Sequence, residues 1–150
     1  MTATTATPAE RRHNRAGTMT VAEVMHPGIV SCSEAASPAE IARIMVTCRV
    51  HCVAVMGLSR DGHKDPVIWG IVSDLDLLEA ATDPASQTSA GDLARQPVIS
   101  IRPTASVREA ARAMVDNRVT HLVVVNPDRV TPVGVLSSLD VAGVLAREDE

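Results

Sequence analysis

Two short stretches of this chain combine a hydroxyl group with a carboxylate at a spacing that could bind a ligand. Residues 70–76 have the sequence Gly-Ile-Val-Ser-Asp-Leu-Asp, and residues 134–140 have the sequence Gly-Val-Leu-Ser-Ser-Leu-Asp. Glycine followed by β-branched residues is typical of a strand that allows close backbone approach. Ser-x-x-Asp before an apolar run is typical of a helix start. Each stretch is therefore predicted to be a strand that turns directly into a helix.

The start of such a helix could hold part of a nucleotide. Free backbone N–H groups and the positive end of the helix dipole favour an anion such as phosphate. A carboxylate in the same turn repels phosphate, but it can accept hydrogen bonds from the hydroxyls of a sugar. Together these groups suit a ribose phosphate. The same spacing is also a plain capping arrangement that needs no ligand, so this alternative stays open.

The composition argues against several classes of function. The chain has 150 residues, of which 45% are hydrophobic, with one Trp and no Phe or Tyr. A core of aliphatic side chains is therefore expected, without the aromatic platforms that bind single-stranded nucleic acid. The net charge of −4 gives no overall basic field that would attract DNA or an anionic membrane. We expect neither a nucleic-acid partner nor a membrane partner.

The cysteines indicate a reducing compartment and no metal site. Cys32, Cys48 and Cys52 form a small, odd set in a chain without a signal-peptide pattern or an apolar run of membrane-spanning length. We therefore expect reduced thiols in the cytoplasm. Cys48, His51 and Cys52 are of types that bind zinc, but no fourth ligand is evident. Cys48 is expected on the apolar face of a helix and Cys52 in a buried strand, so no metal or other cofactor is expected.

The chain is internally duplicated. Ser106 of one predicted capping box lies 69 residues after Ser37 of another, and Asp140 lies 64 residues after Asp76. Each copy is predicted to have the order β-α-β-β-α, with strands near 28–32, 50–56 and 67–72 in the first copy. The expected segments are a flexible tail 1–18, a first repeat 19–82, a linker 83–89, a second repeat 90–146 and a tail 147–150.

The predicted fold class is α/β (α+β), with two repeats packed in pseudo-twofold symmetry. Each repeat has about 60 residues, which is near the lower limit for an independent core. The simplest arrangement packs the two sheets together and leaves two equivalent clefts between the repeats, where small ligands are commonly bound.

The chain resembles a tandem cystathionine β-synthase (CBS) domain pair, also called a Bateman module. The resemblance rests on the two β-α-β-β-α units, residues 49–55 and 118–124, and the two Gly-x-x-Ser-x-x-Asp stretches, and it covers about residues 20–146. It implies a stand-alone, non-enzymatic regulatory module that binds AMP, ADP, ATP or S-adenosylmethionine as a regulatory ligand and modulates a partner protein. It also implies a homodimer.

The resemblance also implies which residues contact the ligand. Asp76 and Asp140 would accept hydrogen bonds from ribose hydroxyls, and Ser73 and Ser137 would lie near ribose or phosphate. In the family a cleft combines the Ser/Asp stretch of one repeat with the first two strands of the other. The strand residues are then Val30, Val50 and Cys52 for the cleft of Asp140, and Ile99, Val119 and His121 from the second repeat. His121 lies where a basic residue often faces phosphate, whereas Cys52 at the matching position weakens phosphate binding.

Two other functions remain open. The family often has proline in the second strand, where this chain has Ala54 and Val123. Together with Cys52, this departure favours a ligand-free structural or dimerisation module. A small hydrolase or metal enzyme is the third candidate, since His121, Ser137 and Asp140 are the residue types of a catalytic triad.

Overall fold

The computed structural model describes residues 15–58, 66–94, 97–127 and 131–147. These residues form helices and strands in an α+β arrangement, which confirms the predicted fold class. The helices are α1 (Arg15–Thr18), α2 (Val21–Val24), α3 (Pro38–Cys48), α4 (Asp74–Thr82), α5 (Ala90–Leu93), α6 (Val107–Asn117) and α7 (Ser138–Ala146). The strands are β1 (His26–Pro27), β2 (Ser31–Ser33), β3 (Cys52–Leu58), β4 (Pro66–Ser73), β5 (Ser100–Ile101), β6 (His121–Asn126) and β7 (Thr131–Ser137).

The chain forms two compact units, one from residues 29–98 and the other from residues up to 28 together with 99 onwards. We call them the first-repeat unit and the second-repeat unit. In the first-repeat unit, β2 runs parallel to β3, and β3 runs antiparallel to β4. The core of this unit includes the fully buried Ile41 of α3, Val53 and Val55 of β3, and Val72 of β4.

The second-repeat unit contains a four-stranded sheet in the order β1-β7-β6-β5. The parallel pair is β5 with β6, and the antiparallel pairs are β6 with β7 and β7 with β1. Its core includes Val21 of α2, Val107 of α6, Leu122 of β6 and Leu136 of β7, all fully buried. Aliphatic side chains thus fill both cores.

The packing units differ from the sequence repeats because the short helix that opens each repeat packs with the other repeat. In α2, the backbone N–H of Val21 donates to the carbonyl of Ala105 at 2.8 Å. In α5, the backbone N–H of Ala90 donates to the carbonyl of Ala36 at 2.8 Å. The first-repeat unit therefore includes the opening helix of the second repeat, and the second-repeat unit includes that of the first.

The two long helices begin where the capping boxes predict. Ser37 caps α3 and Ser106 caps α6, and in both boxes the glutamate three residues later accepts a hydrogen bond from the backbone N–H of the serine at 2.7 Å. Both helices end on an arginine, Arg49 or Arg118, with φ of 54°. This left-handed conformation at a helix end usually falls to glycine.

Two predictions of local structure are wrong. The strand expected over 28–32 begins only at Ser31, in β2, because Gly28, with φ of +83°, turns the chain after the separate strand β1. The tail expected over 1–18 includes the helix α1, in which Ala16 is buried against the core of the second-repeat unit. Residues 1–14 of the predicted N-terminal tail, residues 59–65 and the last residues of the predicted C-terminal tail (148–150) lie outside the described residues.

Candidate functional site

The stretch after β4 forms a complete capping box. Ser73 caps α4, and its hydroxyl oxygen accepts a hydrogen bond from the backbone N–H of Asp76 at 3.4 Å. In return, Oδ2 of Asp76 accepts hydrogen bonds from the backbone N–H of Ser73 at 2.7 Å and from its hydroxyl at 2.9 Å. Ser73 is buried and Asp76 is half-buried. We call residues 73–76 the first Ser/Asp turn.

The stretch after β7 forms the same box, and we call residues 137–140 the second Ser/Asp turn. Oδ2 of Asp140 accepts from the backbone N–H of Ser137 at 2.7 Å and from its hydroxyl at 2.8 Å. The other carboxylate oxygen, Oδ1, lies 3.0 Å from Nε2 of His26. The side chain of Asp140 is only 13% exposed, whereas that of His26 is 73% exposed. Capping therefore uses one oxygen of each aspartate and leaves Oδ1 for other partners.

The backbone N–H groups at the start of α4 are already used within the first-repeat unit. Asp74 donates its backbone N–H to the carbonyl of His51 at 3.0 Å, and Leu75 donates to Oδ1 of Asp74 at 2.9 Å. With the N–H groups of Ser73 and Asp76 held in the capping box, four consecutive N–H groups have partners. The expectation of free N–H groups for phosphate therefore fails at this turn, because the carbonyl of His51, just before β3, and nearby side chains satisfy them.

The glycine that opens each stretch admits another chain segment, as its position predicted. A Cβ on Gly134 would lie 2.5 Å from the carbonyl oxygen of His26 and 2.8 Å from Sδ of Met25. A Cβ on Gly70 would lie 2.8 Å from Cβ of Ala94. The segment that Gly134 admits is the one that carries His26 to Asp140.

Strand pairing places one predicted strand residue of each unit beside that unit's own Ser/Asp turn. Cys52 lies opposite Ser73 in the β3–β4 pair, and His121 lies opposite Ser137 in the β6–β7 pair. Backbone hydrogen bonds hold the other four, Val30, Val50, Ile99 and Val119. The carbonyls of Val30 and Ile99 accept from the N–H groups of Ala54 and Val123, and the N–H groups of Val50 and Val119 donate to the carbonyls of Met45 and Met114. The combination of one repeat's turn with the other repeat's strands stays a prediction.

The side chains on these strands are mostly apolar and partly covered. Cys52 and Val119 are buried, while Val30, Val50 and Ile99 are half-buried. His121 is half-buried, and its Nδ1 lies 3.0 Å from the hydroxyl oxygen of Thr120. Such an apolar lining beside a few polar groups suits a small ligand with a sugar or a base.

The geometry offers little support for the catalytic alternative. Oδ2 of Asp140 caps α7 through Ser137 and Oδ1 contacts His26, so neither oxygen orients His121, the base of the suggested triad. Within the described ranges, no group of three or more His, Cys, Asp or Glu side chains could hold a metal ion.

The cysteines differ partly from expectation. Cys52 is buried as predicted, but Cys48 is exposed at the last turn of α3 rather than on its inner face. Burial, with a smaller contribution from the nearby charge of Glu40, raises the pKa of the Cys32 thiol. In the part of the chain that the structure describes, no helix is both long enough and apolar enough to cross a membrane.

Comparison with known proteins gives one family. The model of the family described as "CBS domain" matches residues 21–83 and 90–147, together well over half of the chain. No protein with a curated description matches the sequence.

Several solved structures are similar over most of their length. A CBS domain protein, PAE2072 from Pyrobaculum aerophilum, complexed with AMP, is 30% identical, with a TM-score of 0.66 over 85% of this chain and 98% of that chain. The CBS domain of a bacterial CNNM/CorC family Mg²⁺ transporter in complex with ATP is 16% identical, with a TM-score of 0.72 over 92% and 94%. The CBS domain pair of protein MJ0100, in complex with 5′-methylthioadenosine and S-adenosyl-L-methionine, is 17% identical, with a TM-score of 0.70 over 85% and 96%.

Proposed function

Since the chain belongs to the CBS domain family, we propose that it is a regulatory module that binds an adenosine-containing ligand and modulates a partner protein. The ligand classes are those in the complexes of its structural neighbours: AMP, ATP and S-adenosylmethionine, with ADP as a further member of the series. The module has no catalytic role of its own in this proposal.

The observation that carries the proposal is the second carboxylate oxygen of each aspartate, Oδ1, which the capping box does not use. The capping box takes Oδ2 of Asp76, and among the described residues Oδ1 of this aspartate has no hydrogen-bond or ion-pair partner. Among the described residues, the only contact of Oδ1 of Asp140 is with the exposed side chain of His26. An ionised carboxylate oxygen can accept two hydrogen bonds, so Oδ1 suits the hydroxyl groups of a ribose.

We propose that the strand residues complete the site in the arrangement of the family. The first Ser/Asp turn then works with Ile99, Val119 and His121, and the second works with Val30, Val50 and Cys52. His121 is the basic group of this set, so the site of Asp76 is the better one for a ligand that carries phosphate.

The test is ligand-induced stabilisation with a matched capping control. AMP, ATP and S-adenosylmethionine at millimolar concentration should raise the melting temperature of the wild-type chain, because a ligand at 100 times its Kd stabilises the folded state by about 2.7 kcal/mol. An Asp76→Ala, Asp140→Ala double variant should lose this shift. Asp92→Ala removes the same type of capping carboxylate from α5, outside both Ser/Asp turns, and should keep it.

A ligand-free interaction module is the second candidate, and one observation favours it. The N–H groups that begin α4 are satisfied without any anion. If none of the three ligands shifts the melting temperature, and calorimetry detects no binding, this candidate replaces the first.

We also propose that the chain forms a homodimer through exposed leucines of α4 and α7. Leu75 and Leu78 of α4 are 59% and 64% exposed, and Leu139 and Leu145 of α7 are 67% and 50% exposed. Large apolar side chains on one element are often covered by a partner. Sedimentation velocity should show a dimer that Leu78→Glu weakens, and a monomer at all concentrations would contradict the proposal.

A further inference from the structure

We infer that His26 restrains the second Ser/Asp turn by occupying the carboxylate oxygen that a ribose would use. The inference rests on the proposed function and adds a residue that lies outside both Ser-x-x-Asp sequences. It concerns Asp140 alone, and its starting point is the 3.0 Å contact between Nε2 of His26 and Oδ1 of Asp140.

The capping box leaves only one oxygen of Asp140 open to a ligand. Oδ2 already accepts two hydrogen bonds from Ser137, at 2.7 and 2.8 Å, which fills its two lone pairs. Oδ1 has two lone pairs, and the N–H of His26 takes one of them. A cis-diol offers two O–H groups, so the second turn can accept both only when His26 leaves.

The backbone of His26 is fixed in a position from which its ring reaches Asp140. In β1, His26 pairs with Val135 and Pro27 pairs with Gly134. The backbone N–H of Gly28 donates to the carbonyl of Val133 at 2.9 Å, which holds the end of the strand. Because Gly134 has no side chain, β1 lies close enough over β7 for this contact.

The side chain of His26 can still leave Asp140 when a ligand arrives. It is 73% exposed, so rotation about its side-chain bonds moves the ring into solvent without disturbing the core. Because the histidine of this pair is largely in solvent, the pair is weak and corresponds to at most about a fivefold change in an equilibrium constant. His26 therefore lowers the affinity of the second turn without closing it.

The experiment isolates the second turn before changing His26. Asp76→Asn keeps a carbonyl oxygen for the capping box of α4 but replaces the outer acceptor with an N–H donor, so AMP binding then reports Asp140. In this background His26→Ala should lower the Kd for AMP by about two- to fivefold in isothermal titration calorimetry. His26→Val, which suits a strand and has no polar atom, should give the same result if the alanine variant is poorly folded.

A second histidine–aspartate pair supplies the control. Nδ1 of His51 lies 3.2 Å from Oδ2 of Asp74, both side chains are exposed, and neither oxygen of Asp76 or Asp140 is involved. His51→Ala in the Asp76→Asn background should leave the Kd for AMP unchanged.

The role of the diol gives an independent readout. Replacing AMP by its 2′-deoxy form should cost more affinity in the His26→Ala variant than in the parent, because only the variant can accept both hydroxyls at Oδ1. An unchanged or weaker affinity for AMP in both His26 variants overturns the inference while leaving the proposed function intact. Absence of AMP binding to the wild-type chain and to all variants overturns both.

Discussion

Replacement of Gly134 by alanine tests the close approach of β1 to β7 most directly. The new Cβ would lie 2.5 Å from the carbonyl oxygen of His26 and 2.8 Å from Sδ of Met25. Since a carbon–oxygen contact of this type is ordinarily about 3.3 Å or longer, β1 must move away by about 0.8 Å. The sulfur atom can rotate aside, but the carbonyl oxygen belongs to the backbone and carries the whole strand with it.

The expected cost follows from this displacement. Overpacking of a well-packed region costs about 1–3 kcal/mol, and for a chain of this size each kcal/mol corresponds to about 2–4 °C in melting temperature. Gly134→Ala should therefore lower the melting temperature by about 2–12 °C in differential scanning calorimetry. Hydrogen exchange at the backbone N–H of Gly28 should accelerate in the same variant, because its bond to Val133 depends on β1 staying in place.

A glycine in α7 is the matched control. Within the described part of the chain, a Cβ on Gly143 would have no atom from outside its own helical turn within 4 Å. Alanine there should therefore stabilise the helix by about 1 kcal/mol and raise the melting temperature by about 2–4 °C. A Gly134→Ala variant as stable as the wild type, with unchanged exchange at Gly28, would refute the reasoning. It would show that β1 can shift without loss of its pairing.

Three further perturbations address the helix ends, the core and the capping carboxylates. Arg118→Gly should leave the melting temperature unchanged or raise it, since φ is 54° there, whereas Arg118→Val should destabilise by about 1–2 kcal/mol; equal effects would contradict this. In urea titrations, Leu122→Ala should cost about 2–5 kcal/mol because the side chain is fully buried, while Leu58→Ala, at 71% exposure, should change stability by less than about 0.5 kcal/mol. Hydrogen bonds from the backbone N–H groups of the capping serines are the main cause of the lowered pKa of Glu40 and Glu109. These carboxyls therefore stabilise the fold at a pH above their usual pKa of 4.5. This stabilisation is lost as the pH falls through the lowered pKa of the folded state. A Glu40→Gln, Glu109→Gln variant should lose less stability on acidification than the wild type, and identical pH profiles would argue against the linkage.

Much of the fold follows from local signals in the sequence. Capping boxes mark helix starts because the serine and the acidic residue that form them are only three positions apart, as at Ser37 and Ser106. The two strand pairs that precede the Ser/Asp turns follow from apolar runs of strand length. Such signals depend on neighbours along the chain, which a sequence displays directly.

The parts that differ depend on contacts between distant segments. The helix α1 has no apolar period of its own, and it is ordered where Ala16 is buried in the core of the second-repeat unit. The left-handed residues that end α3 and α6, Arg49 and Arg118, are not glycines, so the sequence gives no signal for this conformation. The packing of α2 and α5 with the other repeat likewise depends on tertiary contacts, and the hydrophobic periodicity of each helix does not indicate which repeat it packs against.

The candidate site divides in the same way. The pairing of Ser137 with Asp140 was predictable from spacing, because a capping box is a local structure. The contact of His26 with Asp140 was not predictable from the sequence, since it requires β1 to pair with β7. The satisfaction of the N–H groups at the start of α4 was not predictable either, since one of them bonds to the carbonyl of His51, 23 positions earlier in the chain and just before β3 (74 − 51).

The pairing of β1 with β7 also sets an order of events during synthesis. His26 pairs with Val135, which lies 109 positions later in the chain (135 − 26). The sheet of the second-repeat unit therefore cannot acquire its edge strand until β7 has left the ribosome. Until then β7 has yet to be made and the opening helix α2 has no core to join. In a nascent chain that has been synthesised only as far as the linker 83–89, Val21 would be exposed to solvent. Chaperones that recognise exposed aliphatic segments could bind α2 at this stage.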